Sequence, residues 1–282
     1  MLGKLLKHEW KSTCKIMTVI NLTVLLLTIA GFCILNMNIF GNRESTLLAV
    51  FLIIFYALSL AAFGIITEIY LFARFYRNLF TSEGYLMHTL PVTPLQLFHA
   101  KLIVGYFWYV INSLLIIGGV LLFSFVAAWQ FMDSQEAEST HRMLSDLNSV
   151  IFGGNNDVIS AFRNTFGCTP LQAAGMTVLF QLSGSLAALL MGYVSILLGQ
   201  LMEKYRLASA IGFYIVLYII NQIISSFLFL LPGLQMSAAD MERIMSGYFK
   251  GFFSTAVLSQ TILSLVLYLV SVLLMKRKLN LE

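Results

Sequence analysis

The residues that could do chemistry in this 282-residue chain are few and scattered. The four histidines, His8, His88, His99 and His141, stand apart, and a structural metal site needs about four ligands. His88 and His99 share one polar stretch, and they read there as solvated or hydrogen-bonding groups. No His-Glu-x-x-His, Gly-x-Ser-x-Gly or Gly-x-x-x-x-Gly-Lys-Ser/Thr pattern occurs, so zinc-protease, nucleophile-elbow and phosphate-loop chemistry have no carrier. Cys14, Cys33 and Cys168 imply no disulfide framework. No catalytic residue and no metal ligand is expected. The chain does not read as an enzyme, because an intramembrane enzyme needs paired polar groups at depth.

The elements around these residues explain their scarcity. Hydrophobic residues make up 59% of the chain and charged residues 11%, against about 25% charged in an ordinary soluble domain. Apolar runs of about twenty residues, enough to cross roughly 30 Å of hydrocarbon as helix, recur near 16–36, 47–71, 101–128, 173–200, 208–231 and 254–275. Lipid offers the backbone no hydrogen bonds, and the alternation of a barrel strand is missing, so these runs predict helices. The fold class is all-α: a polytopic membrane protein with six transmembrane helices, in one membrane domain over 1–282.

Within the spans, Glu68 is the one ionisable candidate. It sits about a turn from the end of its run, where pairing with Arg74 or reaching water outweighs a transport role. Asn21, Asn112, Gln181, Asn221, Gln222 and Gln260 read as interhelical hydrogen-bonding groups, with Asn21, Asn112, Asn221 and Gln222 as the candidates for a substrate path. Gly184, Ala188 and Gly192, with Ser185 beside them, predict a face of close helix contact.

Lys and Arg stay on the cytoplasmic side of a span. Lys4, Lys7, Lys11, Lys15, Arg74, Arg77, Lys101, Lys204, Arg206, Lys276, Arg277 and Lys278 fall on one side of a six-span layout; Arg43, Arg142, Arg163, Arg243 and Lys250 fall on the other. Both termini are therefore expected in the cytoplasm, and the net charge of +4 is a topology signal with no nucleic acid implied. Residues 1–15 have no cleavage site after them. Lys4, Lys7, Lys11 and Lys15 oppose Leu2, Leu5, Leu6 and Trp10 on a helical wheel. This predicts an interfacial amphipathic helix on the inner surface, with lysines toward lipid headgroups and Trp10 at the boundary; the alternative is a basic flank that only sets topology.

Three connecting segments are long enough to carry structure. The outer insertion 129–172 breaks at Gly153-Gly-Asn-Asn156, after which Asp157 could cap a short helix through Phe166. The outer segment 232–253 carries Ser237 and Asp240 as caps and an apolar side including Met241, Ile244, Met245, Tyr248 and Phe249, which predicts a short extracellular re-entrant helix. Thr-Pro-Leu-Gln occurs at 93–96 and 169–172, each time before a span, with Thr as N-cap and Pro at the first helical position.

The third segment, 72–100, mixes aromatic and basic residues: Arg74-Phe-Tyr-Arg-Asn-Leu-Phe-Thr-Ser-Glu-Gly-Tyr-Leu-Met-His-Thr-Leu-Pro91. Exposed on the inner side, its aromatics must be covered by lipid, protein or a partner. This run and the start Lys4-Leu-Leu-Lys-His-Glu-Trp-Lys11 resemble bacterial ABC transporter permeases of the type 2 exporter class, particularly those of Gram-positive bacteria.

That resemblance implies that Lys4, Lys7, Trp10 and Lys11 belong to an interfacial connecting helix, and that a cytoplasmic coupling helix lies near Arg74, Phe75, Arg77, Asn78, Phe80, Glu83, Gly84, Tyr85 and Leu86. The coupling helix would dock on a separate ABC ATPase subunit, expected in two copies, with ATP and Mg bound there and no cofactor in this chain. A second permease chain, identical or paralogous, would face this one in the bacterial cell membrane. The implied function is ATP-driven export of an amphipathic or hydrophobic substrate such as a peptide, lipid or drug. The alternative is a membrane sensor or antimicrobial-peptide immunity subunit whose segment 129–172 binds ligand.

Overall fold

The protein is seen here as a computed structural model, which describes residues 2–35, 43–80, 93–131, 160, 163–164, 166–202, 204–234 and 241–276. Six long helices dominate: α1 (Leu2–Leu35), α2 (Arg43–Phe80), α3 (Pro94–Phe131), α4 (Pro170–Gly199), α5 (Arg206–Leu234) and α6 (Met241–Lys276). Each contains a stretch long and apolar enough to cross a membrane, so the chain is an all-α, multi-pass membrane protein.

The helices are longer than the apolar runs, and this changes three expected boundaries. Residues 2–15 are the first turns of α1, in the same uninterrupted helix as the first span, and are not a separate element. Arg74–Phe80 is likewise the end of α2. Met241–Phe253 opens α6 where a separate re-entrant helix was expected. In each case polar or basic residues extend a helix whose backbone bonds need no break at the membrane boundary. At 34 residues, α1 is about 51 Å long and exceeds the hydrocarbon thickness by several turns.

Cap chemistry follows the repeated tetrapeptide. Thr169 N–H donates to Gln172 Oε1 at 3.1 Å and Gln172 N–H to Thr169 Oγ1 at 3.3 Å, a complete capping box with Pro170 at the first turn of α4. The same exchange joins Thr93 and Gln96 at the start of α3, at 3.4 Å in both directions. Before α4, Ser160, Arg163, Asn164 and Phe166 are helical. Gly167 closes that turn at φ 69°, donating its N–H to Arg163 O at 2.8 Å; this left-handed conformation suits glycine. Asp157, Ser237 and Asp240 lie outside the described residues.

The chain divides into two compact units, α1–α3 and α4–α6. In the first, α1 and α3 run parallel at a nearly constant register: Glu9 meets Lys101, and Asn21 meets Asn112. Helix α2 runs against them, since Arg74 meets Glu9 while Tyr56 meets Thr28. Val24, Tyr56 and Leu60 form an apolar core, with Phe63, Leu115, Ile116 and Phe123 packed against it. The Tyr56 and Phe123 rings stack at 4.4 Å.

In the second unit α4 is the central helix, with Leu189, Leu190, Met191, Tyr193, Val194 and Leu197 all buried. The tight contact is not at Gly184, where an added Cβ would meet nothing within 4 Å. It is at Gly199, where a Cβ would lie 2.7 Å from Ala210 Cβ and 2.8 Å from the Ala210 Cα and N. Further along the unit, Phe180 meets Phe253 edge-on at 6.1 Å and Phe229 meets Phe252 at 5.3 Å.

Candidate functional site

Helix periodicity turns one face of α1 inward. Glu9, Thr13, Met17, Ile20 and Val24 recur at spacings of three and four and are buried, while Lys4, Lys7, Lys11 and Lys15 are exposed. The inward face brings an acidic residue into the first unit. Glu9 Oε1 accepts from Arg74 Nε at 2.8 Å, and Glu9 Oε2 accepts from Lys101 Nζ at 3.2 Å. One carboxylate thus ties the ends of α2 and α3 to the first turns of α1. Glu9 is 6% exposed and Lys101 4%, so neither charge is tolerable without its partner. Trp10 reinforces the junction, with its ring 4.8 Å from that of Phe107 and 5.4 Å from that of Trp108 on α3.

Two further polar rungs lie deeper in the same unit. Tyr109 Oη donates to Glu68 Oε1 at 2.5 Å, and Asn112 Nδ2 donates to Asn21 Oδ1 at 2.9 Å. Tyr109 and Asn112 are three apart on α3 and therefore neighbours on its surface. At the far end Tyr56 Oη reaches Thr28 Oγ1 at 3.3 Å. A Cβ at Gly119 would stand 2.9 Å from both oxygens, so the glycine leaves the room this pair needs. The polar groups form a column through the unit, each spent on a neighbouring helix. Among the described residues no group of three or more His, Cys, Asp and Glu side chains is placed to hold a metal ion.

The expected docking residues separate. Arg74 is committed to Glu9 and not to Glu68, whose partner is Tyr109. Phe75 is 1% exposed and meets Phe98 edge-on at 6.2 Å and Phe80 at 6.4 Å, which removes it from any outward surface. Asn78 and Phe80 are half-buried, Phe80 also lying 6.2 Å from the Tyr76 ring, and Arg77 is exposed. Glu83, Gly84, Tyr85 and Leu86 lie outside the described residues.

Of the residues read as interfacial, Lys4, Lys7 and Lys11 are exposed, whereas Trp10 is 39% exposed and packs on α3. The first turns of α1 are therefore docked on their own unit through Glu9 and Trp10. Asn21 and Asn112 bond each other, as interhelical groups should. Asn221 is half-buried and Gln222 exposed on α5. Gln181, read as interhelical, instead reaches Ser185 of its own helix at 3.4 Å. Glu9, Lys101 and Tyr109 were not singled out as partners by sequence reasoning, although the lone acid on the face opposite the lysines was a usable signal.

The chain matches no family model, no curated protein and no solved structure.

Proposed function

We propose that this chain is the membrane-embedded permease subunit of an ATP-driven exporter, with ATP and Mg handled by a separate ABC ATPase subunit. The observation that carries the reading is the shared carboxylate of Glu9, which binds the end of α2 and the start of α3 into one junction. Between those ends runs the stretch 81–92, whose residues carry the resemblance to a coupling segment. A partner pressing on that stretch would push on three tied helices at once, which is what force transmission from a separate motor needs. In this reading Arg77 and the Glu83–Leu86 stretch face the ATPase, while Arg74 and Phe75 support them from behind.

Two ATPase copies and a second permease chain complete the proposed assembly in a bacterial cell membrane, with both termini cytoplasmic. The chain itself performs no catalysis in this scheme. A substrate with large apolar surface, such as an amphipathic peptide or lipid, suits spans that are rich in Phe, Leu and Met and nearly free of charge.

The test is coexpression with candidate ATPases carrying a phosphate loop, followed by purification through this chain. An ATPase should copurify and lose its grip when Glu83→Ala is introduced, with thermal stability of the membrane subunit unchanged. Failure of every candidate to copurify with the native chain would refute the reading.

A further inference from the structure

The connection between α4 and α5 carries a feature that its short length conceals. Helix α4 closes with Leu201 N–H donating to Leu198 O at 3.1 Å and Met202 N–H to Gly199 O at 3.2 Å. Helix α5 opens on Tyr205, whose carbonyl accepts from Ser209 N–H at 2.9 Å and Ser209 Oγ at 3.0 Å. Because Gly199 and Ala210 pack in direct contact, the chain must reverse sharply, and Tyr205 sits at φ 60° to do so. Glycine or asparagine is the ordinary residue for that left-handed conformation, and a bulky side chain there is strained. Yet the tyrosine is 82% exposed and contributes little to the packing of its own unit.

Its neighbours point the same way. Leu201 is 59% exposed, Met202 49% and Leu207 57%, and Lys204 is exposed beside them. Leu207 continues at four-residue spacing into Ile211 and Ile215, both exposed on the face of α5 that belongs to a membrane span. An apolar cluster, a tyrosine and a lysine at the end of a span are the composition of the lipid–water boundary, where a ring with one polar tip and a long charged stem both find suitable surroundings.

We propose that the α4–α5 turn is a membrane-interface anchor. The Tyr205 hydroxyl and the Lys204 ammonium donate to phospholipid phosphate oxygens, and Leu201, Met202 and Leu207 enter the acyl boundary. The backbone strain at Tyr205 is retained because the side chain is used by lipid.

The full-length protein tests this in phospholipid nanodiscs without any partner, on a background with Cys14, Cys33 and Cys168 changed to serine. Met202→Cys is the reporter, read by its rate of reaction with a charged, membrane-impermeant maleimide relative to a free thiol peptide. The anchor requires labelling about tenfold or more slower than the peptide, as for a side chain at the acyl boundary. Adding Tyr205→Gly should relieve the strain, leaving thermal stability in detergent equal or raised, while labelling at position 202 accelerates. Labelling as fast as the free peptide overturns the proposal, including the case in which protection appears only when a soluble protein partner is added. Unchanged labelling on Tyr205→Gly also overturns it, since the tyrosine then holds nothing.

Discussion

The two three-helix units solve the same packing problem by different means. In the first, polar side chains cross between helices: Glu9 to Arg74 and Lys101, Tyr109 to Glu68, Asn112 to Asn21. In the second, most hydroxyls among the described residues turn back onto their own helix, as when Ser185 donates to Gln181 O at 2.6 Å, Ser195 to Met191 O at 2.6 Å and Ser271 to Leu267 O at 2.9 Å, while Ser264 also reaches across to Ser183 O at 3.4 Å. Their polarity is hidden locally, and close approach comes from Gly199 against Ala210. A unit joined by charged and amide side chains has a firmly fixed register; a unit joined mainly by small residues has close contact with weaker fixed points such as Ser264 on Ser183. Lipid gives helices no hydrophobic reason to associate, so one or the other device is required.

The comparison breaks most sharply at Glu9. Glu9→Gln leaves the buried Lys101 and the half-buried Arg74 facing a neutral group and should destabilise the first unit by up to about 3–5 kcal/mol. Thermal unfolding in detergent, followed by Trp10 and Trp108 fluorescence, reads the loss. Lys101→Met should cost clearly less, because the Glu9–Arg74 pair it leaves is neutral; equal losses would mean that the carboxylate is not the shared hub.

In the second unit the corresponding weak point has no charge at all. Gly199→Ala forces a methyl against the Ala210 backbone and should cost about 1–3 kcal/mol as overpacking, measurable by the same unfolding assay. Trimming the far end of α5 should not rescue it, since the clash is with backbone atoms at its start.

The smallest effect sharpens the contrast. A double-mutant cycle of Asn21→Leu and Asn112→Leu should return a coupling near 0.6 kcal/mol, with about 2 as its ceiling, as for other hydrogen bonds within membranes. Ser195→Ala should change stability by no more than a few tenths, because its bond is to the preceding turn of its own helix. A Ser195 effect as large as the Asn21–Asn112 coupling would erase the distinction between the units.

Much of the fold was legible because lipid imposes a coarse rule: about twenty apolar residues make a crossing helix, and each of the six runs coincides with a long helix among the described residues. The caps at Thr93 and Thr169 were legible for a local reason, as Thr, Pro and Gln act within one turn. Helix ends were harder to place, since a helix need not break where its apolar run stops, and α1, α2 and α6 all extend beyond theirs.

The site was least legible where partners are distant in sequence. Glu68 and Arg74 look like a pair on paper, but six residues set them about 120° apart around a helix, and each is taken by another helix. The small-residue stripe of Gly184, Ala188 and Gly192 was legible in part: Ser185 and Gly192 are buried, while Gly184 leaves open space, since spacing alone does not say how far along a face the neighbour stays close. Gly199, alone at the end of α4, had no pattern to announce it.

The shared carboxylate of Glu9 also imposes an order on biogenesis. Glu9 leaves the ribosome 65 residues before Arg74 and 92 before Lys101. Until the second helix has been made, its charge lacks the Arg74 counterpart, and the nascent first helix is expected to keep that turn at the aqueous edge of the membrane. The first unit therefore closes in two steps, the Glu9–Arg74 pair becoming available first and the junction completed only when Lys101 at the start of α3 emerges.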